Sequence, residues 1–230
     1  MAEWRLAGAL AVALLAAGPA RAEDRPIVAE LFTSEGCSSC PPAEAVLAEL
    51  ARTRPDVLAL GFHVTYWDRL GWADPYALPA ATARQQHYAA GFGLDSVYTP
   101  QLVVDGRQEM VGSDRSAVLA ALRTAARQAG PPVALLLTPT DAGLRVSVAA
   151  GAGQGMLVLI GFDPLHRTAV ARGENAGRVL TEVNAVRDIR PLGHWDGRAW
   201  QRVVPPPAGE RVAAILQAAD GQVLGAALLR

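Results

Sequence analysis

The sequence predicts an α/β domain followed by a mainly antiparallel, sandwich-like β domain. Three observations support this fold class. The first half alternates β-prone and helix-prone runs, which is the order of a sheet covered by helices. A Gly-Pro-Pro segment at 130–132 then interrupts the pattern. Beyond it, short β-prone runs are separated by turn signals such as those at 141–143 and 220–221, a spacing typical of a sandwich or barrel.

The amino terminus has the pattern of a secretory signal peptide. A polar stretch ending at Arg5 leads into an apolar run at 6–17, and small residues follow at Ala20 and Ala22. The run is shorter than the about 20 residues that a membrane-spanning helix needs. We therefore expect cleavage after residue 22, a periplasmic or secreted protein, and no stable membrane anchor. An uncleaved anchor is the alternative.

Charge and length limit the classes of partner and the number of domains. The 230 residues carry a formal net charge of −1, and neither a nucleic acid nor an anionic membrane is attracted to such a surface. The length after the leader suits two domains of roughly 100 residues each. We expect a first domain at 23–130 and a second at 131–230.

The first domain opens with a strand, a helix and a second strand. The run at 27–32 is β-prone, and apolar residues recur at helical spacing within 43–52. Pro41 and Pro42 suit the first turn of that helix, where the backbone N–H groups have no partner in the helix. The run at 57–64 is the second strand.

The rest of the first domain contains an aromatic-rich insert at about 65–96, with a helix over 79–90. A hairpin follows around Asp105-Gly106, and Ser113 or Asp114 can cap a last helix. In the second domain, we expect strands at 133–138, 144–149, 156–162, 168–171, 179–189, 199–204, 212–218 and 223–229.

Cys37 and Cys40 are the two cysteines of the chain, and they form one CxxC motif at the predicted helix start. There, the helix dipole and unpaired backbone donors lower the pKa of the first thiol and favour its thiolate. Cys37 is therefore assigned as the attacking residue, and Cys40 as the residue that resolves a mixed disulfide. This predicts a thiol–disulfide oxidoreductase acting on protein thiols or disulfides, without a cofactor.

Other interpretations of the cysteine pair stay open. A zinc site is disfavoured, because there is no second CxxC and the four histidines lack the H-x3–5-H spacing. Copper is a specific alternative, since Cys37, Cys40 and His63 would combine soft thiolates with an imidazole. A non-catalytic interaction protein with a structural disulfide is a further alternative.

The order strand, CxxC helix, strand, insert, Thr99-Pro100, hairpin and helix resembles the thioredoxin fold. This resemblance implies that Pro100 is cis and faces the cysteine pair, and that the backbone of Thr99 pairs with an extended substrate. It also implies a buried carboxylate that serves Cys40, for which Glu30 is the candidate, one residue out of register.

Three segments carry a closer resemblance: ELFTSEGCSSCPP at 30–42, FHVTYWDRLGW at 62–72 and GENAGR at 173–178. They look like the bacterial secreted family catalogued as domain of unknown function 1223. The resemblance spans nearly the whole mature chain and implies no particular substrate.

Two further residues are candidates for supporting the site. His63 ends the second strand, where it can stabilise the Cys37 thiolate or remain a hydrogen-bonded core residue. Trp67 belongs to an aromatic cluster in the insert, which forms either a peptide-binding wall or the insert's own core. The segment at 174–178 is predicted to be a turn into the following strand.

Overall fold

The computed structural model describes residues 25–128 and 132–229, and within these ranges the chain forms two β-sheets and three α-helices. The predicted signal peptide at 1–22 lies outside the described ranges. No helix within them is long and apolar enough to cross a membrane.

The elements of the first half lie close to their predicted positions. They are β1 (Ile27–Thr33), α1 (Pro41–Thr53), β2 (Val57–His63), a 3₁₀ helix (Thr65–Leu70), α2 (Pro79–Phe92), β3 (Gln101–Val104), β4 (Gln108–Val111) and α3 (Arg115–Gln128). The second half contributes strands alone: β5 (Leu135–Thr140), β6 (Gly143–Val148), β7 (Gly155–Ala169), β8 (Val179–Trp195), β9 (Trp200–Val204), β10 (Arg211–Gln217) and β11 (Val223–Leu228).

Local sequence signals explain several element boundaries. Pro41 occupies the first turn of α1, where a missing N–H has no cost to the helix. Asp114 caps α3, since its Oδ1 accepts a hydrogen bond from the Ala117 N–H at 3.0 Å. Asp105 and Gly106 both have positive φ, of 50° and 67°, as the two central residues of a tight turn between antiparallel strands require.

The predicted fold class is wrong. Strands hold 42% of the described residues and helices 23%, and the main sheet is a mixed sheet of eight strands in the order β11-β10-β7-β8-β2-β1-β3-β4. The protein is therefore mostly β, and it is not an α/β thioredoxin-like domain followed by a separate sandwich. The strand β8 pairs in parallel with β2 at Gly61 and Ala185, which joins strands from both halves in one sheet.

This pairing has a physical reason. A sheet of the first four strands alone would leave β2 at its edge, although all seven residues of β2 are buried. An apolar edge with unpaired backbone groups is prone to aggregation, and natural proteins cover such edges. The strand β8 covers this edge here. The predicted boundary near residue 130 stays a prediction, since 129–131 lie outside the described ranges.

The core has three parts, each packed against a sheet. One part includes Phe32 and Phe62 and lies on the side of the main sheet that faces α2. A second part lies on the opposite side, between β1 and the helices α1 and α3. The third fills the space between the main sheet and a three-stranded sheet of order β5-β6-β9.

The hairpin of β7 and β8 is longer than the sequence predicts. Two separate strands were expected at 156–162 and 168–171, but β7 continues through the intervening residues because they pair with β8. In this register, His166 lies directly opposite Glu182, which brings the two side chains to one face.

Candidate functional site

Cys37 and Cys40 form a disulfide in the turn between β1 and α1, with their Cα atoms 5.4 Å apart. Cys40 is the residue that caps α1, and its carbonyl accepts hydrogen bonds from the N–H groups of Ala43 and Glu44. Upstream, the N–H of Cys37 donates to the carbonyl of Ser34 at 3.1 Å. The pair therefore lies at the positive end of the α1 dipole, where negative charge on sulfur is favoured.

Hydroxyl groups surround the sulfur of Cys37. Thr99 Oγ1 donates to Cys37 Sγ at 3.3 Å, and Ser39 Oγ lies 3.3 Å from the same sulfur. Trp67 Nε1 donates to Thr99 Oγ1 at 2.7 Å, which holds the threonine in place. The Thr99–Pro100 peptide bond is cis, and Pro100 is buried. The structure thus brings the predicted site residues Cys37, Cys40, Trp67 and Thr99 together, with Pro100 next to Thr99 in the chain.

The disulfide itself is buried. Cys37 is 0% exposed and Cys40 is 1% exposed, whereas Ser38 and Ser39 between them are on the surface. A reacting partner therefore meets the two serines before it meets a sulfur atom.

A loop from the second half holds the CxxC turn in place. Asn175 is fully buried, and its Nδ2 donates to the carbonyls of Glu35 and Cys37, both at 2.9 Å. Arg178 Nη1 in turn donates to Asn175 Oδ1 at 2.8 Å. The neighbouring Glu174 accepts hydrogen bonds at its Oε2 from the N–H of Ser38 at 3.0 Å and from its hydroxyl at 2.7 Å.

The sequence-based interpretation missed these contacts. The segment at 174–178 was predicted to be only a turn, yet it binds the CxxC turn across more than 130 residues of chain. The signal within the sequence was weak: a glutamate and an asparagine in a glycine-rich turn. Hydrogen bonds to Ser38 lower the pKa of Glu174, so its carboxylate is charged when it holds this turn.

Glu30 lies away from the disulfide. Side chains alternate along β1, so Glu30 shares a face with Val28 and Phe32, while Ala29 and Leu31 face α1. There, Arg84 binds both oxygens of Glu30. Tyr88 donates its hydroxyl to Glu30 Oε1 at 2.6 Å. The carboxylate is engaged in a buried ion pair, and the structure does not bring it to Cys40.

His63 lies at the end of β2 in a buried group that the sequence did not predict. We call Glu35, Glu44, His63, Asp74, His166 and Glu182 the buried histidine cluster. His63 Nδ1 is 2.8 Å from Asp74 Oδ2, and His63 Nε2 is 3.8 Å from Glu182 Oε2. Glu182 Oε2 is also 2.7 Å from His166 Nε2, so this carboxylate lies between the two imidazoles.

Aromatic residues of the insert form walls of this cluster. Trp72 Nε1 donates to Glu35 Oε2 at 2.8 Å, and the ring of Tyr76 stacks on His166 with centroids 3.6 Å apart. Trp67 lies beside Thr99, which contacts Cys37, so aromatic rings of the insert border both the disulfide and the buried histidine cluster.

The cluster shifts the pKa values of its members. Burial, reinforced by the charge of Glu182, raises the pKa of Glu44 to about 7. Burial alone would lower the pKa of His63, but the charge and hydrogen bond of Asp74 outweigh it and raise that pKa to about 10. Burial opposes charge on Asp74 as well, and His63 lowers the pKa of this carboxyl despite it. His63 and Asp74 thus form a buried, charged pair.

The cluster and the disulfide border the same cavity. A cavity of about 320 Å³ is lined by Ser34, Cys40, Glu44 and Glu182, together with residues 178–181. One side of this cavity is the second cysteine, and the other side is the edge of the buried histidine cluster.

The copper set predicted from the sequence is not assembled in this oxidised form. Among the residues that the structure describes, two triads bring donor atoms within 4.8 Å of one another: Glu35 with His166 and Glu182, and Glu44 with His63 and Glu182. Neither triad contains a cysteine. His63 therefore faces carboxylates, whereas Cys37 faces hydroxyls.

Comparisons with known proteins place the chain in a family. The model of a family described as protein of unknown function (DUF1223) matches residues 28–218. A solved structure from Agrobacterium tumefaciens is similar, with 31% identity, a TM-score of 0.77 and coverage of 90% of this chain and 95% of that one. HBP35 of Porphyromonas gingivalis is 12% identical over 90% of this chain and 75% of its own, with a TM-score of 0.61, and shares the fold alone. No curated protein matches the chain.

Proposed function

This chain belongs to the DUF1223 family of proteins of unknown function, and we propose that it is an exported thiol–disulfide oxidoreductase that uses Cys37 and Cys40. One observation carries the proposal: Cys37 Sγ lies at the start of α1 with two hydroxyl oxygens, of Thr99 and Ser39, each 3.3 Å away. A helix N-terminus and hydroxyl donors both stabilise a thiolate more than a thiol.

The proposed exchange has two steps and moves two electrons. In the reduced protein, the Cys37 thiolate attacks a disulfide of the substrate protein, forms a mixed disulfide and releases one substrate thiolate. Cys40 then attacks Cys37 Sγ, which closes the Cys37–Cys40 disulfide and releases the second substrate thiolate. In the opposite direction, a substrate dithiol reduces the pair and becomes oxidised itself.

Burial of the sulfurs sets a condition on this chemistry. Because Cys37 is 0% exposed, the Ser38-Ser39 turn must move before a protein thiol reaches it. The bonds from Glu174 to Ser38 are the exposed contacts of that turn, and they are therefore the ones that open most easily. The hydroxyl of Thr99 lies 3.3 Å from Cys37 Sγ, so in this proposal the backbone of Thr99 pairs with an extended substrate segment.

Trapping of a mixed disulfide tests the proposal. A Cys40→Ser variant retains the attacking thiol and lacks the resolving one, so we expect it to accumulate a covalent adduct with scrambled ribonuclease. The matched Cys37→Ser variant should form at least tenfold less adduct on non-reducing gels. Equal adduct in both variants would contradict the assigned roles, and no adduct in either would overturn the enzyme proposal.

The hydroxyl of Thr99 provides a second test. Thr99→Val removes the donor and preserves the shape, and a hydrogen bond worth about 1 kcal/mol corresponds to a rise of about 0.7 units in the pKa of Cys37. The rate of iodoacetamide alkylation against pH, measured in the Cys40→Ser background, reports this pKa. Thr124→Val, at a partly exposed site on α3, is the control and should leave the profile unchanged.

A structural disulfide in a non-catalytic interaction protein is the second candidate. The burial of both cysteines and the bonds from Asn175 to the CxxC turn favour it. Closing a loop of four residues stabilises a fold by about 2 kcal/mol in the chain-entropy model. This candidate predicts that reduction destabilises the protein by that amount, with no adduct in the trapping experiment.

Export and the copper alternative have direct tests. Export predicts that the protein recovered from a periplasmic fraction begins at Glu23, as amino-terminal sequencing reads it; an intact leader would contradict cleavage. Copper binding by Cys37, Cys40 and His63 predicts stoichiometric Cu(I) uptake by the reduced protein that is lost in His63→Ala, and unchanged uptake would exclude His63.

A further inference from the structure

We propose that the buried histidine cluster is a binding site for one divalent transition-metal ion of the Zn²⁺ type. Its ligands are the side chains of Glu44, His63 and Glu182, and His166 contacts Glu182 beside them. The site differs from the copper alternative, because it contains no cysteine, and it does not depend on the proposed redox function.

The donor atoms have the separations that such an ion requires. Zn²⁺ binds nitrogen and oxygen ligands at about 2.0–2.2 Å with tetrahedral geometry, which separates adjacent donor atoms by about 3.4 Å. Glu182 Oε2 lies 3.8 Å from His63 Nε2, close to this value. The ligand atoms of Glu44, His63 and Glu182 all lie within 4.8 Å of one another.

Unpaired buried polar atoms point to a ligand within the cluster. Glu44 is 7% exposed, and both of its carboxylate oxygens are buried and accept no well-aligned hydrogen bond from the part of the chain that the structure describes, although the Thr33 hydroxyl is near enough to act on the pKa of Glu44. Glu182 Oε2 is likewise without a well-aligned hydrogen bond among those residues, although His166 Nε2 lies 2.7 Å from it. Buried polar atoms are nearly always satisfied, and a metal ion would satisfy these.

The surroundings of His63 are those of a metal ligand. Asp74 binds His63 Nδ1 at 2.8 Å and so directs Nε2 towards Glu182 and Glu44. Asp74 is fixed in turn, since its oxygens accept hydrogen bonds from the N–H groups of Glu35 and Tyr76, both at 2.8 Å. A carboxylate on the second ring nitrogen is the usual outer partner of a metal-bound histidine.

The charge of the cluster also favours a cation. Four carboxylates, from Glu35, Glu44, Asp74 and Glu182, meet two imidazoles, so negative groups outnumber positive ones even when both histidines are protonated. Buried charge without compensation is costly. The cavity bordered by Glu44 and Glu182 gives the ion a path to the site.

Zinc titration of the oxidised protein tests the proposal, because the intact disulfide prevents the cysteines from binding metal. After removal of metal with a chelator, calorimetry with ZnCl₂ should show one site per chain, and MgCl₂ should produce no saturable binding. Co²⁺ should give the visible bands of a nitrogen and oxygen site without a thiolate charge-transfer band. Absence of saturable Zn²⁺ binding to the oxidised wild-type protein would overturn the proposal.

Matched variants assign the site. Glu182→Gln and Glu44→Gln should weaken Zn²⁺ binding at least tenfold, and Asp74→Asn should weaken it about 10–100-fold through His63. Glu49→Gln, on the exposed side of the same helix as Glu44, is the control and should bind as the wild type does. If Glu182→Gln does not fold, the Zn²⁺ affinity of Glu44→Gln tests the assignment, because Glu44 borders the cavity. Wild-type affinity in folded Glu44→Gln and Asp74→Asn variants would overturn the assignment.

Discussion

Replacing Asn175 with alanine should destabilise the protein through the CxxC turn, although the two are distant in sequence. The substitution removes two buried hydrogen bonds of 2.9 Å, to the carbonyls of Glu35 and Cys37, and also the partly exposed bond of 2.8 Å that Asn175 Oδ1 accepts from Arg178. Each bond is worth about 1 kcal/mol net, and a buried acceptor left without a donor costs a further share, so the expected loss is about 2–4 kcal/mol. The free energy of unfolding should fall by that amount.

Urea unfolding of the oxidised protein measures this loss, with an unchanged m-value indicating that the compactness of the two states is preserved. Gln201→Ala is the control, because Gln201 is an exposed amide whose one bond of 3.3 Å joins it to Ser147. We expect its effect to stay within about 0.5 kcal/mol. A loss for Asn175→Ala as small as that of the control would refute the claim that this asparagine holds the turn.

Three other predictions test the packing around the site. Arg84→Met should lower the free energy of unfolding in urea by about 3–5 kcal/mol, because it leaves the buried Glu30 charged and without its partner. The double variant with Glu30→Leu should lose less, and a larger loss in the double variant would contradict a buried ion pair. Gly106→Ala should destabilise by at least about 1–3 kcal/mol more than Gly93→Ala. Both glycines have positive φ, but a Cβ at Gly106 would lie 1.7 Å from a carbonyl oxygen, whereas a Cβ at Gly93 would have no atom within 4 Å. Equal decreases in melting temperature for the two variants would refute this contact. Burial raises the pKa of all four tyrosines, that of Tyr66 to about 12, so phenolate absorbance at 295 nm should develop well above pH 10 in the folded protein. The folded state then binds the phenol protons of the tyrosines more tightly than the unfolded state does, so the free energy of unfolding should fall as the pH rises above 10. Ionisation of the tyrosines at pH 10 in the folded protein would contradict this prediction.

The sequence predicts where the elements lie better than it predicts how they pair. Helical spacing of apolar residues located α1, and Asp105-Gly106 marked a hairpin turn that the structure contains. The fold class was wrong because one contact, between Gly61 and Ala185, joins strands more than 120 residues apart. A continuous apolar run predicts that both faces of a strand are buried. It does not show which other strand pairs with it.

The candidate site divides in the same way. The CxxC spacing located the cysteine pair, and the resemblance pointed to Thr99 and Pro100. Glu30 looked equivalent to a residue near Cys40, yet the alternation of side chains along β1 directs it to the opposite face. Asn175 and His166 reach the site through the pairing of β7 with β8, which no local pattern contains.

The reduction potential of the Cys37–Cys40 pair tests the central claim most directly. The protein is equilibrated with glutathione buffers of stepped ratio, the thiols are alkylated, and the oxidised fraction is read from the mass shift. A catalyst of exchange should give a potential between about −120 and −270 mV, the range of known thiol–disulfide oxidoreductases. A value below about −300 mV is typical of structural disulfides and would contradict the proposed function. The cysteine pair would then be a structural disulfide that stabilises the turn between β1 and α1.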